Sequence, residues 1–287
     1  VDGRALAREV LARTKARAAT LPRAPRVVAL ATSESPATKS YLSIKAARAA
    51  DAGCVLEIRS IKSGIHKNLL QQEIVDSVKK ATETADAVIV QLPLPAGVDV
   101  KKVCDAIPVE KDADILSSAA RALFENMDLR NHSLILLPPV VGAVREIFSR
   151  NGINPRGKKA VIIGDGWLVG NPCAVWLKQQ GASVSVVTSQ SGDFPAALRV
   201  ADIIVSGTGS PHLIKPKMLK QGVVLIDAGT SESGGTIVGD ADPACAQMCF
   251  LFTPVPGGVG PLAVAMLFEN TVTLACLRRQ AEKAMNI

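Results

Sequence analysis

Seven short apolar runs recur along this chain with a helix-length stretch between neighbours, and this spacing restricts the fold more than any other feature. They read "RVVALA", "VLEIR", "DAVIVQLPLP", "KKAVIIG", "ASVSVVTS", "ADIIVSG" and "GVVLIDAG". Strands joined through helices pair in parallel, which makes this an α/β architecture. Helical patterns over residues 1–20, 38–53 and 68–84 separate the first runs. The later runs alternate with helical patterns over 143–150 and 169–180, and a long one continues from Gly260 to the C-terminus with Pro261 in its first turn. Pro138 and Pro139 in "LLPPVVG" interrupt the alternation and mark the expected boundary between two α/β domains, residues 1–137 and 138–261.

Composition sets the outer limits. A chain of 287 residues, 48% of them hydrophobic, has enough apolar material for two cores, and at 3% aromatic those cores must be built from Val, Ile, Leu and Ala. No uninterrupted apolar run reaches the roughly 18 residues of a membrane span, so no membrane partner is expected. The six cysteines are scattered, with only Cys245 and Cys249 close together, which reads as free thiols in a reducing compartment and no zinc site. His66, His132 and His212 are isolated and suggest no metal. The charge of +7 is concentrated at the start, where seven bases (Arg4, Arg8, Arg13, Lys15, Arg17, Arg23, Arg26) face Asp2 and Glu9. That segment reads either as a solvated amphipathic helix or as a contact for RNA or a protein partner. An intracellular site is expected; the chain opens on Val1, read as a truncated or processed start, which leaves cytosol and mitochondrion both open.

Five stretches carry chemistry. "IIGDGWLVGNP" runs from a strand through a glycine turn into a helix, the form of a dinucleotide-binding unit's first turn, but with Asp165 and Trp167 where phosphates approach. In "SPATKSYLSIKAA", Tyr41 and Lys45 are four apart and share one helix face, either as a functional pair or as an ordinary exposed stripe. "VQLPLP" puts Gln91 at the end of an apolar strand, where ligands of open α/β sheets gather. "EKDADI" offers Asp112 and Asp114, as a site or as a charged loop. "TPVPGGVGP" makes a rigid, close-approach loop entering a helix, or a plain interdomain turn.

Taken together and in order, "VDGRALA", "SPATKSYLSIK", "VQLPLP", "EKDAD", "GKKAVIIG", "LVGNP", "VLIDAG", "IVGDAD", "TPVPGGVGP" and "AMLFENTV" resemble the methylenetetrahydrofolate dehydrogenase/cyclohydrolase family over nearly the whole chain. The resemblance implies a folate-binding catalytic domain completed by the C-terminal helix 262–287. It also implies a Rossmann-type domain with a parallel sheet that binds NAD or NADP, folate and nicotinamide meeting in a shared cleft. It implies oxidation of 5,10-methylenetetrahydrofolate to the methenyl cation by hydride transfer, then hydrolysis to 10-formyltetrahydrofolate, usually in a homodimer. Lys45 takes the place of the catalytic lysine that assists proton movements during hydrolysis; a lysine is a poor base near neutral pH unless its surroundings tune it. Gln91 would hydrogen-bond Lys45, Tyr41 would pack on the aromatic part of folate, and Asp114 would accept from the pterin donors. Pro256, Gly257, Gly258 and Val259 would line the pocket near the reacting carbon. Gly164, Asp165, Gly166, Val169, Gly170, Ser189 and Gly209 take the cofactor-binding positions.

The cofactor side departs from the family pattern. Gly164-Asp165-Gly166 stands where Gly-Arg-Ser is usual, and that arginine helps hold a 2′-phosphate. Two unit charges about 5 Å apart at an effective dielectric near 20 interact by roughly 3 kcal/mol, here with the sign reversed, so NAD is favoured over NADP. Thr188-Ser189-Gln190 replaces a His-Ser-Arg-like run, "LPPVVGA" a Pro-Cys-Thr-Pro-x-Gly run, and "DILSSAA" lacks the glycine that usually follows the aspartate. Two functions are therefore carried forward: an active folate enzyme, and a catalytically degenerate relative serving as a structural or assembly component through its basic N-terminal helix.

Overall fold

The apolar runs pair as parallel strands in two separate sheets. The computed structural model describes residues 1–285 except 34, 62–66, 127–135, 189–190, 192 and 234. It divides into two compact units, one of Arg8–Pro139 with Val264–Ile287, the other of Val1–Ala7 with Val140–Ala263.

The chain begins with α1 (Gly3–Ala18), β1 (Arg26–Ala31), α2 (Pro36–Asp51), β2 (Val55–Ser60), α3 (Lys67–Thr82) and β3 (Ala87–Val90), followed by the short helices α4 (Val100–Cys104) and α5 (Ser118–Glu125). The first sheet has the order β2-β1-β3, all parallel, with Val27 opposite Leu56 and Val28 opposite Val88. Its central strand is buried on both faces, which is why "VVALA" is a continuous apolar run and not an alternating one. Val28, Leu30, Ile74, Val78, Val88 and Val90 pack together as the core between sheet and helix. Edge strand β2 keeps the polar residues of "VLEIR": Glu57 accepts from Arg59 Nε at 2.7 Å and pairs with Arg26 across the strand boundary.

The second unit contains α6 (Pro139–Arg150), β4 (Lys159–Ile163), α7 (Gly170–Gln179), β5 (Ser183–Val187), α8 (Phe194–Arg199), β6 (Ile203–Ser206), β7 (Val223–Asp227), the antiparallel hairpin β8 (Ser231–Ser233) and β9 (Thr236–Val238), and β10 (Cys249–Phe252). Its five-stranded sheet has the order β10-β7-β6-β4-β5 with every pairing parallel, a Rossmann-type sheet. The helix predicted from Ala143 begins earlier, at Pro139. A first-turn proline lacks only an N–H that has no intrahelical acceptor, so Pro139 starts the helix it was expected to precede. The N-terminal residues cluster with this unit because the Gly3 N–H donates to Gly257 O at 2.9 Å.

The long helix α9 (Val259–Met285) closes the chain, and its part from Val264 belongs with the first sheet. By length and composition it could cross a membrane, but 61% of its apolar window is buried in the fold, and Glu269 and Asn270 interrupt the run. It also takes up the basic charge of the N-terminal segment. Arg13 Nε donates to Glu269 at 2.9 Å and Arg17 Nη2 to Thr273 Oγ1 at 2.9 Å. Arg23 and the Arg278 guanidinium both reach Asp86, which is only 3% exposed, and the Arg26 N–H donates to the same carboxylate at 2.7 Å. With Arg26 paired to Glu57, four of the bases read as a candidate polyanion contact thus have partners in the fold, while Arg13, Arg23 and Arg26 stay 38–55% exposed.

Candidate active site

In the first sheet, β1 is followed by β2 on one side and β3 lies on the other, so the topological switch point falls between β1 and β3. Gln91 comes directly after β3, and its N–H donates to Leu30 O at 2.9 Å, prolonging the strand pairing by one residue. The residue thus stands at the carboxyl end of the sheet. Gln91 Nε2 is committed to Leu92 O at 2.8 Å, which fixes the amide and leaves Oε1 to accept from Lys45 Nζ at 2.9 Å. Lys45 sits on α2, whose start is set by Ser35: its side chain accepts from the Thr38 N–H at 3.2 Å, with Pro36 in the first turn. One helical turn before Lys45, Tyr41 is 41% exposed, an aromatic ring offered to solvent on the same face.

Asp114 completes this group. Burial raises its pKa, the Lys45 ammonium opposes the rise, and Asp112 adds to it. The Lys45 charge thus acts on Asp114 through space. Asp112 does something different. It is fully buried and accepts from the Leu116 N–H at 3.0 Å and the Ser117 N–H at 2.7 Å. The loop it holds carries Ile115 at φ 56°, the left-handed region that a β-branched residue adopts only at a cost. This is the position where the resemblance leads one to expect glycine, so the backbone keeps its course despite the substitution. Asn270, which no local sequence pattern singles out, anchors the same loop. Its Nδ2 donates to Ala113 O at 2.9 Å and Leu137 O at 2.8 Å.

The second sheet has its switch point between β4 and β6. The turn after β4 holds Gly164 at φ 84°, with its N–H on Val187 O at 2.8 Å. Gly170 opens α7 in such close contact that a Cβ there would overlap Gly164 O. Val169 stands at the helix N-cap with no side-chain cap; in the first turn of α7 Asn171 gives its N–H to Gly166 O at 3.1 Å and Pro172 has none, which leaves the Gly170 N–H for a phosphate. Asp165 and Gly166 are not buried in this turn. Gly166 has open space around it and no positive φ, so glycine is not required there. Across the switch point, Gly209 has φ 68° and its carbonyl accepts from Ser231 Oγ at 2.5 Å. Ser189 lies outside the described residues.

The run Pro256–Val259 sits between β10 and α9, and its path depends on the N-terminal segment. A Cβ on Gly3 would overlap Gly258 O, which explains the glycine of "VDGRA". The structure thus joins Lys45, Gln91 and Asp114, with Tyr41 on the adjoining helix turn, in one unit. In the other it holds the glycine turn, the Gly209 loop and the Pro256–Val259 loop. Among the described residues no cluster of His, Cys, Asp and Glu could hold a metal ion, and all six cysteines are free.

Comparison with known proteins agrees over nearly the whole chain. Residues 1–114 match the family description "Tetrahydrofolate dehydrogenase/cyclohydrolase, catalytic domain", and residues 138–279 match its NAD(P)-binding domain. The chain is 33% identical over 273 residues to the "Bifunctional protein FolD" of Hydrogenobaculum sp. (strain Y04AAS1), covering 95% of this chain and 96% of that protein. The bifunctional FolD structure from Campylobacter jejuni superposes with a TM-score of 0.88 at 30% identity, covering 96% and 98% of the two chains. The Trypanosoma brucei FolD complexed with NADP cofactor and inhibitor gives a TM-score of 0.87 at 29% identity, covering 98% and 97%.

Proposed function

Because this chain belongs to the tetrahydrofolate dehydrogenase/cyclohydrolase family, we propose that it oxidises 5,10-methylenetetrahydrofolate to the methenyl cation and hydrolyses that cation to 10-formyltetrahydrofolate. The observation that carries this reading is the Lys45 Nζ–Gln91 Oε1 hydrogen bond beside Asp114 at a switch point of the first sheet.

Each residue has a defined part in the hydrolytic half. Tyr41 offers its exposed ring to the aromatic part of the substrate. Asp114 accepts from the pterin donors, and the Lys45 charge favours its ionised form against burial. Gln91 fixes the position of Lys45, and because its own amide is tied to Leu92 O it does so in one orientation. Lys45 then assists the proton movements as water adds to the methenyl carbon and a C–N bond opens. A cationic substrate calls for orientation and a controlled water, not for an oxyanion hole.

The residues around the second switch point fit a dinucleotide, since the tight Gly164–Gly170 turn lets a phosphate approach the backbone at the start of α7, where the Gly170 N–H is available. When bound, NAD(P) supplies the hydride acceptor. Asp165 is open to solvent, so screening brings its contribution toward about 1 kcal/mol. Its sign still opposes a 2′-phosphate, and NAD is the preferred cofactor in this reading. The family's usual homodimer belongs to the same reading. The scaffold-only alternative is not favoured, because Arg13 and Arg17 of the basic helix have partners on α9 and Arg23 and Arg26 pair with Asp86 and Glu57. Steady-state assays of the purified chain with NAD and NADP, together with methenyl hydrolysis, test the proposal. Turnover in both halves supports it, and absence of both refutes it.

A further inference from the structure

The loops at the carboxyl end of the five-stranded sheet hang on two buried carboxylates, in "VLIDAG" and "IVGDAD", to which the proposed chemistry gives no role. Asp240 Oδ2 accepts from Ser206 Oγ at 2.6 Å and from the Thr208 N–H at 2.7 Å, while Oδ1 accepts from the Ser210 N–H at 2.8 Å. These donors bracket Gly207 and Gly209, so one carboxylate holds the whole loop after β6. Asp227, at the end of β7, supports Asp240 from behind. It accepts from the Gly229 N–H at 2.9 Å, the Asp240 N–H at 3.2 Å and the Ala241 N–H at 2.8 Å. The backbone of Asp227 in turn grips Thr253, with its N–H donating to Thr253 Oγ1 at 2.7 Å and that hydroxyl donating back to Asp227 O at 3.2 Å. Thr253 opens "TPVPGGVGP". One hydrogen-bonded network therefore runs from the Pro256–Val259 loop through Asp227 and Asp240 to the loop at 207–210.

Two further observations show that this network is built and not incidental. A Cβ at Gly229 would overlap the Asp240 carboxylate, and one at Gly239 would overlap that of Asp227, so both glycines make room for the pair. Every donor is an uncharged amide or hydroxyl, and among the described residues neither carboxylate forms an ion pair. Burying two anions without a cation is costly, and loop stability alone could be had from apolar packing.

We infer that Asp240, held in place by Asp227, is a positioning residue for hydride transfer: it locks the loop bounding the dinucleotide crevice to the loop carrying Pro256–Val259. This rests on the dehydrogenase half of the function proposed above. Hydrolysis uses Lys45, Gln91 and Asp114 in the other unit and needs no cofactor, and the Thr253 end of the network is held by the backbone of Asp227, so loss of the Asp240 side-chain bonds loosens the loop at 207–210 and the two reactions respond differently.

Asp240→Asn turns one accepting oxygen into an amino group aimed at an N–H donor. A misplacement near 1 Å is enough to cost hydride transfer about a hundredfold, so dehydrogenase kcat/KM is expected to fall by roughly tenfold to a hundredfold with a raised KM for NAD(P), and methenyl hydrolysis to stay within about twofold of wild type. Ser206→Ala removes a single donor to Asp240 and shifts the same ratio in smaller measure; it decides the matter if Asp240→Asn does not fold. Equal loss of both activities in a variant with wild-type circular dichroism and melting, or no change in either, overturns the inference. A wild type that hydrolyses the methenyl substrate but shows no dehydrogenase turnover instead refutes the reading on which it rests.

Discussion

Asp165→Arg tests the cofactor side most economically. Residue 165 lies in the turn after β4, between Gly164 at φ 84° and the start of α7, open to solvent at the carboxyl end of its sheet. An exposed charge pair in this setting is worth at most about 1 kcal/mol. The substitution removes a repulsion of that size toward a 2′-phosphate and adds an attraction of similar size, roughly 2 kcal/mol together. That corresponds to about a thirtyfold rise in NADP affinity relative to NAD. NAD itself should bind somewhat more weakly if Asp165 accepts from the ribose diol. Trp167, two residues on, gives a fluorescence signal for titrating both cofactors. The effect should shrink at high salt, as an exposed electrostatic contribution must. An NADP/NAD affinity ratio unchanged by the substitution would show that this turn does not face the ribose, and the electrostatic argument would fail.

Gly3→Ala forces a Cβ onto Gly258 O and should cost about 1–3 kcal/mol, read as a fall of several degrees in melting temperature; unchanged melting would mean that the Pro256–Val259 loop does not depend on the N-terminal segment. Stability should also carry a signature of Asp227. Burial holds its carboxyl at about 6, against three N–H donors that favour the anion, whereas the unfolded value is near 3.9. The folded state thus binds this proton more tightly, and the group's contribution is full below about pH 3.9 and lost as pH rises through about 6. Asp86 has the opposite sign: despite its burial, Arg23, the Arg26 amide and Arg278 lower its pKa, so its contribution is present at neutral pH and lost on acidification. Between about pH 5 and 7 the wild type should lose about 1 kcal/mol relative to Asp227→Asn, and parallel stability curves would contradict the assignment.

The fold was legible where one face or both faces of an element are buried along its length. β1, β3, β6 and β7 are continuous apolar runs because helices cover the parallel sheets. Helix starts were less clear. Pro139 reads as a breaker until its place in the first turn is known, and Ser35 with Pro36 begins α2 before its periodic pattern is visible. Lys45 and Tyr41 were visible as a pair because helical spacing is local. Asn270 was not, since its acceptors lie 157 and 133 residues away. The partners of the N-terminal bases are hidden for the same reason: Arg13 and Arg17 pair with residues 256 positions further on, and no periodicity reports such partners. "VLIDAG" and "IVGDAD" stood out as sequence blocks, but their meaning lies in hydrogen bonds between them.

The most direct measurement concerns Lys45. Lys45→Met keeps much of the side chain's apolar volume while removing the ammonium that bonds Gln91 and whose charge acts on Asp114. Methenyl hydrolysis should fall at least about a hundredfold, the usual contribution of a positioned proton-transfer group, while circular dichroism and melting remain those of the wild type. Hydrolysis at the wild-type rate by the folded variant would remove Lys45 from the chemistry, and with it the constellation on which the proposed activity is built.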